Sequence, residues 1–333
     1  MVDSDIPDVT VAEKLRADFE RLLQVLLYLV SLFLGVKNKL KFLRFLFVSL
    51  IQSDCIHYNA LLKSGKSIQI SRRELLHSTW MSFDKSKVDP HQLGTFGTSV
   101  VYCRYDESSS TAICTFDAHE FRLRSGTQDE LYLSLTQIQS TFIEEKWKVL
   151  DCSGKVVFDI GAGIGDTAMY FISKGATRVF AIEPFSSMFA LLRVNIELNS
   201  LTDLVTSVGR GFGDPVYRVE ANDRSPHVGT YYFREGDVMP PLKLNDLVHL
   251  AGNKPSVLKV SCVGCERSFL NESDDDLRYF DQIVIEYVYG YKNIEQKLLN
   301  AGFRVNCSAP RGIFGRSAPD SSVYLGMIIA GRS

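Results

Sequence analysis

The sequence predicts an α/β protein: a mostly parallel sheet with helices on both faces over residues 151–333. A helical segment over 1–58 and a small α+β region over 59–150 precede it. Three observations lead there. Short apolar runs of strand length recur at 156–160, 178–182 (RVFAI), 256–261 (SVLKVS), 282–287 (QIVIEY) and 322–330 (SVYLGMIIA); such runs suit strands buried on both faces. Segments with apolar residues at helical spacing lie between them, and strands alternating with helices imply parallel pairing. Finally, the run at 156–160 ends in a glycine-rich turn that opens a helix.

Composition agrees with a folded chain of about two domains. The 333 residues are 45% hydrophobic and 23% charged, which excludes wholesale disorder, collagen-like repeats and a disulfide-dense mini-protein. A formal net charge of −2 gives no general electrostatic reason to bind nucleic acid, and no such partner is expected. The seven cysteines are scattered and odd in number, reading as reduced intracellular thiols and a cytoplasmic setting.

In chain order, MVDSDIPDVT is acidic and lacks the basic region of a secretory signal. Residues 22–36 carry no charge but fall short of the roughly 18 needed to span a bilayer. Lys37, Lys39, Lys41 and Arg44 follow. Two readings stand for residues 21–53: helices packed on the protein, or a basic amphipathic segment in peripheral contact with a membrane surface. Further on, YNALLKSGKSIQIS reads as two strands about a Ser-Gly-Lys turn, and TSVVYCRYDESSSTAICTFDAHEFRLRSG repeats the pattern. After the strand at 156–160, Ala168, Phe171 and Ile172 mark a helix that stops near Gly175. After the strand at 178–182, Phe185, Phe189, Leu192 and Ile196 mark a second, ending near Asn199. A helix at 292–301 precedes Gly302, a C-cap residue.

The chemistry centres on Val157-Phe158-Asp159-Ile160-Gly161-Ala162-Gly163-Ile164-Gly165-Asp166-Thr167. A turn this tight between a buried strand and a helix needs glycine, and it faces its backbone N–H groups to the crevice at the strand's carboxyl end. Glu183 follows the second strand, where a carboxylate can accept hydrogen bonds from both hydroxyls of a ribose. The dinucleotide fingerprint GxGxxG would place glycine at 166, where this chain has Asp166. A pyrophosphate beside Asp159 and Asp166 would be repelled, whereas the sulfonium and ammonium of S-adenosylmethionine would be attracted. The methyl donor is the expected cofactor.

The run VVFDIGAGIGDTAMYFISKGATRVFAIEPFSSMFALLRVNIELNSL resembles the FkbM family of methyltransferases, particularly its archaeal-looking branch. The likeness continues through LKLNDLVHLAGNKPSVLKV and IVIEYVYGYKNIEQKLLNAGFRV, covering much of residues 144–330, and weakly through LLKSGKSIQIS. It implies a class I, Rossmann-like methyltransferase fold with seven strands, the last antiparallel. It also implies methylation of a hydroxyl on a sugar or small molecule. By that likeness Asp159, Gly161 and Gly163 line the methionine portion of the cofactor and Glu183 holds the ribose. Ala162, Gly165, Asp166, Thr167 and Pro184 complete the binding set.

The chain departs from that family at the fourth strand. A segment resembling LKxDxEGxE reads here Leu258-Lys259-Val260-Ser261-Cys262-Val263-Gly264-Cys265-Glu266, and IEYH reads Ile285-Glu286-Tyr287-Val288. Ser261, Val263 and Val288 thus replace two acids and a histidine. A sugar hydroxyl normally needs a base as its bond forms, so the catalytic candidates are Glu266, Glu286 and Lys259. Two classes of function follow: an active O-methyltransferase, or a degenerate member that binds S-adenosylmethionine as a sensor or scaffold. No metal is expected, because the CxxC of Cys262 and Cys265 has no second pair and the six histidines are dispersed.

Overall fold

In a computed structural model of the chain, the described residues are 37–51, 57–61, 67–71, 95–96, 99–100, 102–106, 111–116, 119–124, 137–143, 145–213, 241–252, 254–262, 264–288, 290–309, 311–312 and 324–332, with scattered helical positions between 11 and 34. The chain forms two compact units. One comprises residues 95–309 and 326–333 together with 1–8, the other 9–94 and 310–325. The second unit contains the helix Lys39–Ile51 and an antiparallel hairpin of His57–Leu61 with Ser67–Ser71, the two strands expected about the Ser-Gly-Lys turn. On the helix, Phe42 and Phe45 are buried and Leu40, Leu43 and Phe47 are exposed. Among the described residues no helix is long and apolar enough to cross a membrane.

The first unit is built on seven strands: β1 (Val156–Ile160), β2 (Arg178–Ile182), β3 (Val205–Val208), β4 (Ser256–Val260), β5 (Gln282–Tyr287), β6 (Arg304–Cys307) and β7 (Tyr324–Gly331). Their order in the sheet is 3-2-1-4-5-7-6. Strands β1 to β5 run parallel, and β7 lies antiparallel between β5 and β6. This is the class I, Rossmann-like arrangement, with the antiparallel last strand that the family resemblance implied. The order reverses direction between β1 and β4, which opens a crevice at their carboxyl ends.

Helices cover both faces. α1 (Asp166–Ser173) packs on β1 and β2, and α2 (Ser186–Leu198) on β3. The opposite face is a continuous apolar core of Val156, Phe158, Ile160, Leu258, Ile283 and Ile285. It is sealed by α3 (Leu244–Ala251), α4 (Asp274–Arg278) and α5 (Lys292–Asn300), through Leu247, Leu277 and Leu298. Side chains alternate across a strand, so Asp159, Lys259 and Glu286 all fall on the other face from that core. A three-stranded sheet, Tyr102–Asp106, Thr111–Phe116 and His119–Arg124, leans on α2. There Arg122 N donates to Asn199 Oδ1 at 2.9 Å and Arg124 N to Asn195 Oδ1 at 2.8 Å.

Candidate active site

The turn between β1 and α1 is shaped by two close approaches. Gly161 has φ +75°, and a Cβ there would lie 2.1 Å from the Ser261 carbonyl oxygen, so only glycine lets β1 and the end of β4 come this near. Gly165 caps α1 at φ +91°, where a Cβ would meet Leu192 Cδ1 at 2.7 Å. Ile182 at the end of β2 accepts from both Gly161 N and Ala162 N, at 2.9 and 3.1 Å. The turn is thereby tied to both neighbouring strands.

Three carboxyls gather around it. Asp159 is fully buried and stands directly across the parallel ladder from Lys259. Their side chains pair at 2.7 Å, and Thr167 Oγ1 donates to the other Asp159 oxygen at 2.5 Å. Asp166, in the first turn of α1, accepts from Thr141 Oγ1 at 2.6 Å; burial pushes its carboxyl above the usual range, against that hydrogen bond and the charge of Lys259. Glu183 leaves β2 and turns back on the glycines. Its Oε2 accepts from Gly163 N at 2.9 Å and its Oε1 from Phe185 N at 3.0 Å. Burial pushes this carboxyl up to about 7, although both N–H groups favour its ionised form. Asp159, Gly161, Ala162, Gly163, Gly165, Asp166, Thr167 and Glu183 thus surround one turn, and half-buried Pro184 follows Glu183. Beside them, Gln137 Oε1 is buried without a partner among the described residues, and its Nε2 would lie 3.8 Å from a Cβ on Gly163.

The three catalytic candidates differ in their commitments. The Lys259 ammonium is 1% exposed, holds Asp159, donates to the Gly161 carbonyl at 2.8 Å and lies 5.1 Å from the centre of the Trp147 ring. Its arrangement is that of a strut beneath the turn. Glu266 is also fully buried, accepting from Gly264 N at 2.6 Å and Val288 N at 3.0 Å, and burial raises its pKa. Glu286 accepts from Ser261 Oγ at 2.5 Å and pairs with Lys146 at 2.5 Å. Burial pushes Glu286 up, but the Lys146 charge and the hydrogen bonds from Lys146 and Ser261 outweigh it and hold the carboxyl below the usual range. Val263 lies outside the described residues.

Sequence reasoning missed Thr141, Lys146 and Gln137, which come from a stretch without strand or motif signal. Ser261 was legible only as the absence of an acid, yet it is the partner of Glu286. Cys262 and Cys265 are joined as a disulfide, which corrects the reading of all seven cysteines as reduced thiols. The cause is geometric: the turn after β4 brings their Cα atoms to 5.6 Å, within the bridging range. Among the described residues no group of three or more His, Cys, Asp or Glu side chains is arranged to hold a metal ion.

No protein-family model matches the chain, and no curated protein does. Solved structures with some likeness include a candidate RNA methyltransferase from Pyrococcus horikoshii, at 12% identity and TM-score 0.33, over 60% of this chain and 83% of that one. Another is TYW2 from M. jannaschii in complex with AdoMet, at 17% identity and TM-score 0.34, over 72% and 90%. A third is TrmK from M. capricolum with S-adenosylhomocysteine, at 10% identity and TM-score 0.34, over 60% and 68%. The expectation of no nucleic-acid partner is corrected to the extent that it rested on net charge; a candidate RNA methyltransferase is among these structures, as a likeness of fold alone. The physical reason is that a net charge near zero describes the whole surface and not a local patch.

Proposed function

We propose that this chain is an S-adenosylmethionine-dependent methyltransferase whose residues 151–333 bind the donor at the carboxyl ends of β1 and β2. The observation that carries this is Glu183: a buried carboxylate fixed by two backbone N–H groups at the lip of a glycine turn. The surrounding groups suit such a donor. Burial penalises the ionised forms of Asp166 and Glu183, and a ligand bringing positive charge and hydroxyl donors relieves that penalty. A pyrophosphate would add to it. Buried Gln137 Oε1 is a further acceptor at the turn, without a partner among the described residues. Glu183 would hold the ribose, and Asp159, Gly161, Gly163 and Asp166 would flank the methionine portion. When bound, the cofactor supplies an electrophilic methyl group.

The acceptor we infer is a hydroxyl of a sugar or small molecule, as the FkbM resemblance implies. Glu286 is the favoured base: it is ionised, lies on the same face as Asp159 and Lys259, and reaches the end of β4 through Ser261. Lys259 and Glu266 position the turn and the β4 loop instead. A second reading, donor binding without transfer, is favoured by one observation: Glu286 is already engaged by Lys146, and both Glu266 oxygens by backbone N–H groups. Titration calorimetry with S-adenosylmethionine tests the binding. Incubation of the protein and labelled donor with carbohydrate extracts and with RNA then separates the readings. Labelled carbohydrate supports the proposal, labelled RNA replaces its acceptor, and binding without any labelled product leaves the second reading standing.

A further inference from the structure

We propose that Cys262 and Cys265 form a thiol–disulfide exchange site, open to small dithiols and dithiol proteins, whose redox state sets the geometry of the glycine turn. The pair sits where β4 ends. Cys262 follows Ser261, and Cys265 opens the 3-10 helix Cys265–Asn271, with Gly264 at φ +126° between them. Both cysteines are partly exposed, so a thiolate can reach the bridge. The remaining described free cysteines differ: Cys152 is buried, and burial pushes the Cys307 thiol up to about 12.

The link to the turn is direct. The Cys262 Cα lies 3.3 Å from where a Cβ of Gly161 would stand, and the Ser261 carbonyl lies nearer still. The same loop is pinned by Gly264 N on Glu266 and by Ser261 Oγ on Glu286. A disulfide holds its sulfurs at about 2.05 Å, whereas non-bonded heavy atoms settle at about 3.5–4 Å. Reduction therefore moves at least one of the two cysteines, and a shift of Cys262 carries with it the adjoining Ser261 carbonyl that packs over Gly161. Glu266 Oε2, 3.8 Å from Cys262 Sγ, is an acceptor for the thiol that forms.

The exchange balances with a dithiol as reductant. Its thiolate attacks one sulfur, the S–S bond breaks and the other cysteine leaves as a thiolate that takes a proton. The second thiol of the reductant then displaces the first cysteine, giving two cysteine thiols and the reductant's disulfide. Two electrons and two protons pass to the protein.

The test uses the full chain, purified without reductant and oxidised with glutathione disulfide. The tryptic peptide 260–267 contains both cysteines. It is expected to resist iodoacetamide until dithiothreitol is added, and then to take two labels. Hydrogen exchange over residues 159–167 is expected to change about fivefold or more on reduction. A Cys262→Ser/Cys265→Ser variant should match the reduced form and ignore dithiothreitol. Double labelling of the oxidised protein, or identical exchange in both forms, overturns the proposal. Calorimetry on the two forms should show S-adenosylmethionine affinities differing by about fivefold or more, and equal affinities overturn the coupling to the site. Heat in neither form, together with altered exchange, would sink the methyl-donor reading and leave the exchange site intact.

Discussion

Glu183 concentrates the chemistry of the site in one side chain. Its folded pKa is raised to about 7, so its contribution to stability is present in full below the ordinary carboxylate range and is lost as pH rises through 7. Ribose hydroxyls bind the ionised form, so donor affinity should run the other way. Calorimetry at pH 6 should give a Kd about tenfold weaker than at pH 8, because only about a tenth of the carboxyl is then ionised. The Glu183→Gln variant should lose that pH dependence and weaken binding by about 1.5–3 kcal/mol. Lys259 should behave as a strut. Lys259→Met leaves Asp159 charged and buried, so chemical denaturation should show a loss of about 3–5 kcal/mol. The double variant Lys259→Met/Asp159→Asn should recover part of it. Glu183 and Asp159 were legible in the sequence, since each stands at a fixed distance from a strand–glycine pattern. The strut was not, because it follows from the register that sets residue 159 opposite residue 259.

The segment from the end of β4 into the 3-10 helix shows how an element can carry catalytic-looking residues for structural reasons. Glu266 staples that segment to the end of β5, with one oxygen on Gly264 N and the other on Val288 N. A glutamine offers only one acceptor oxygen, so Glu266→Gln leaves one buried N–H unmet. Thermal unfolding should report a loss of about 1–3 kcal/mol, with donor affinity altered less than by Glu183→Gln. From sequence, a carboxylate two residues after a glycine at a strand end could be base or staple. Only the positions of the amides distinguish the two. The α1 start was easier to read: alternating glycines followed by Asp166 and Thr167 fit a single geometry, a strand leaving the sheet and entering a helix.

The whole molecule was legible to an uneven degree. Buried parallel strands announce themselves as apolar runs, so the strand content and the parallel half of the sheet could be read directly. The reversal of β7 could not, and came only through family resemblance, because an apolar run looks the same in either direction. Net charge could not settle the question of nucleic acid for the opposite reason, being an average over a surface whose patches act separately. β7 also occupies an unusual place in the assembly, supplying the hydrogen-bond partner of both β5 and β6. Removing residues 324–332 should therefore strip β6 of its place in the sheet and expose the β5 edge. The truncated chain is expected to aggregate on expression, as measured by its soluble fraction.

That placement has a consequence for biosynthesis. Of the seven strands, the one that closes the sheet is translated last, so a nascent chain carries an unfinished ladder beside Glu286 until residues 324–331 have cleared the ribosome. Folding of this half must then wait for the arrival of β7 between β5 and β6.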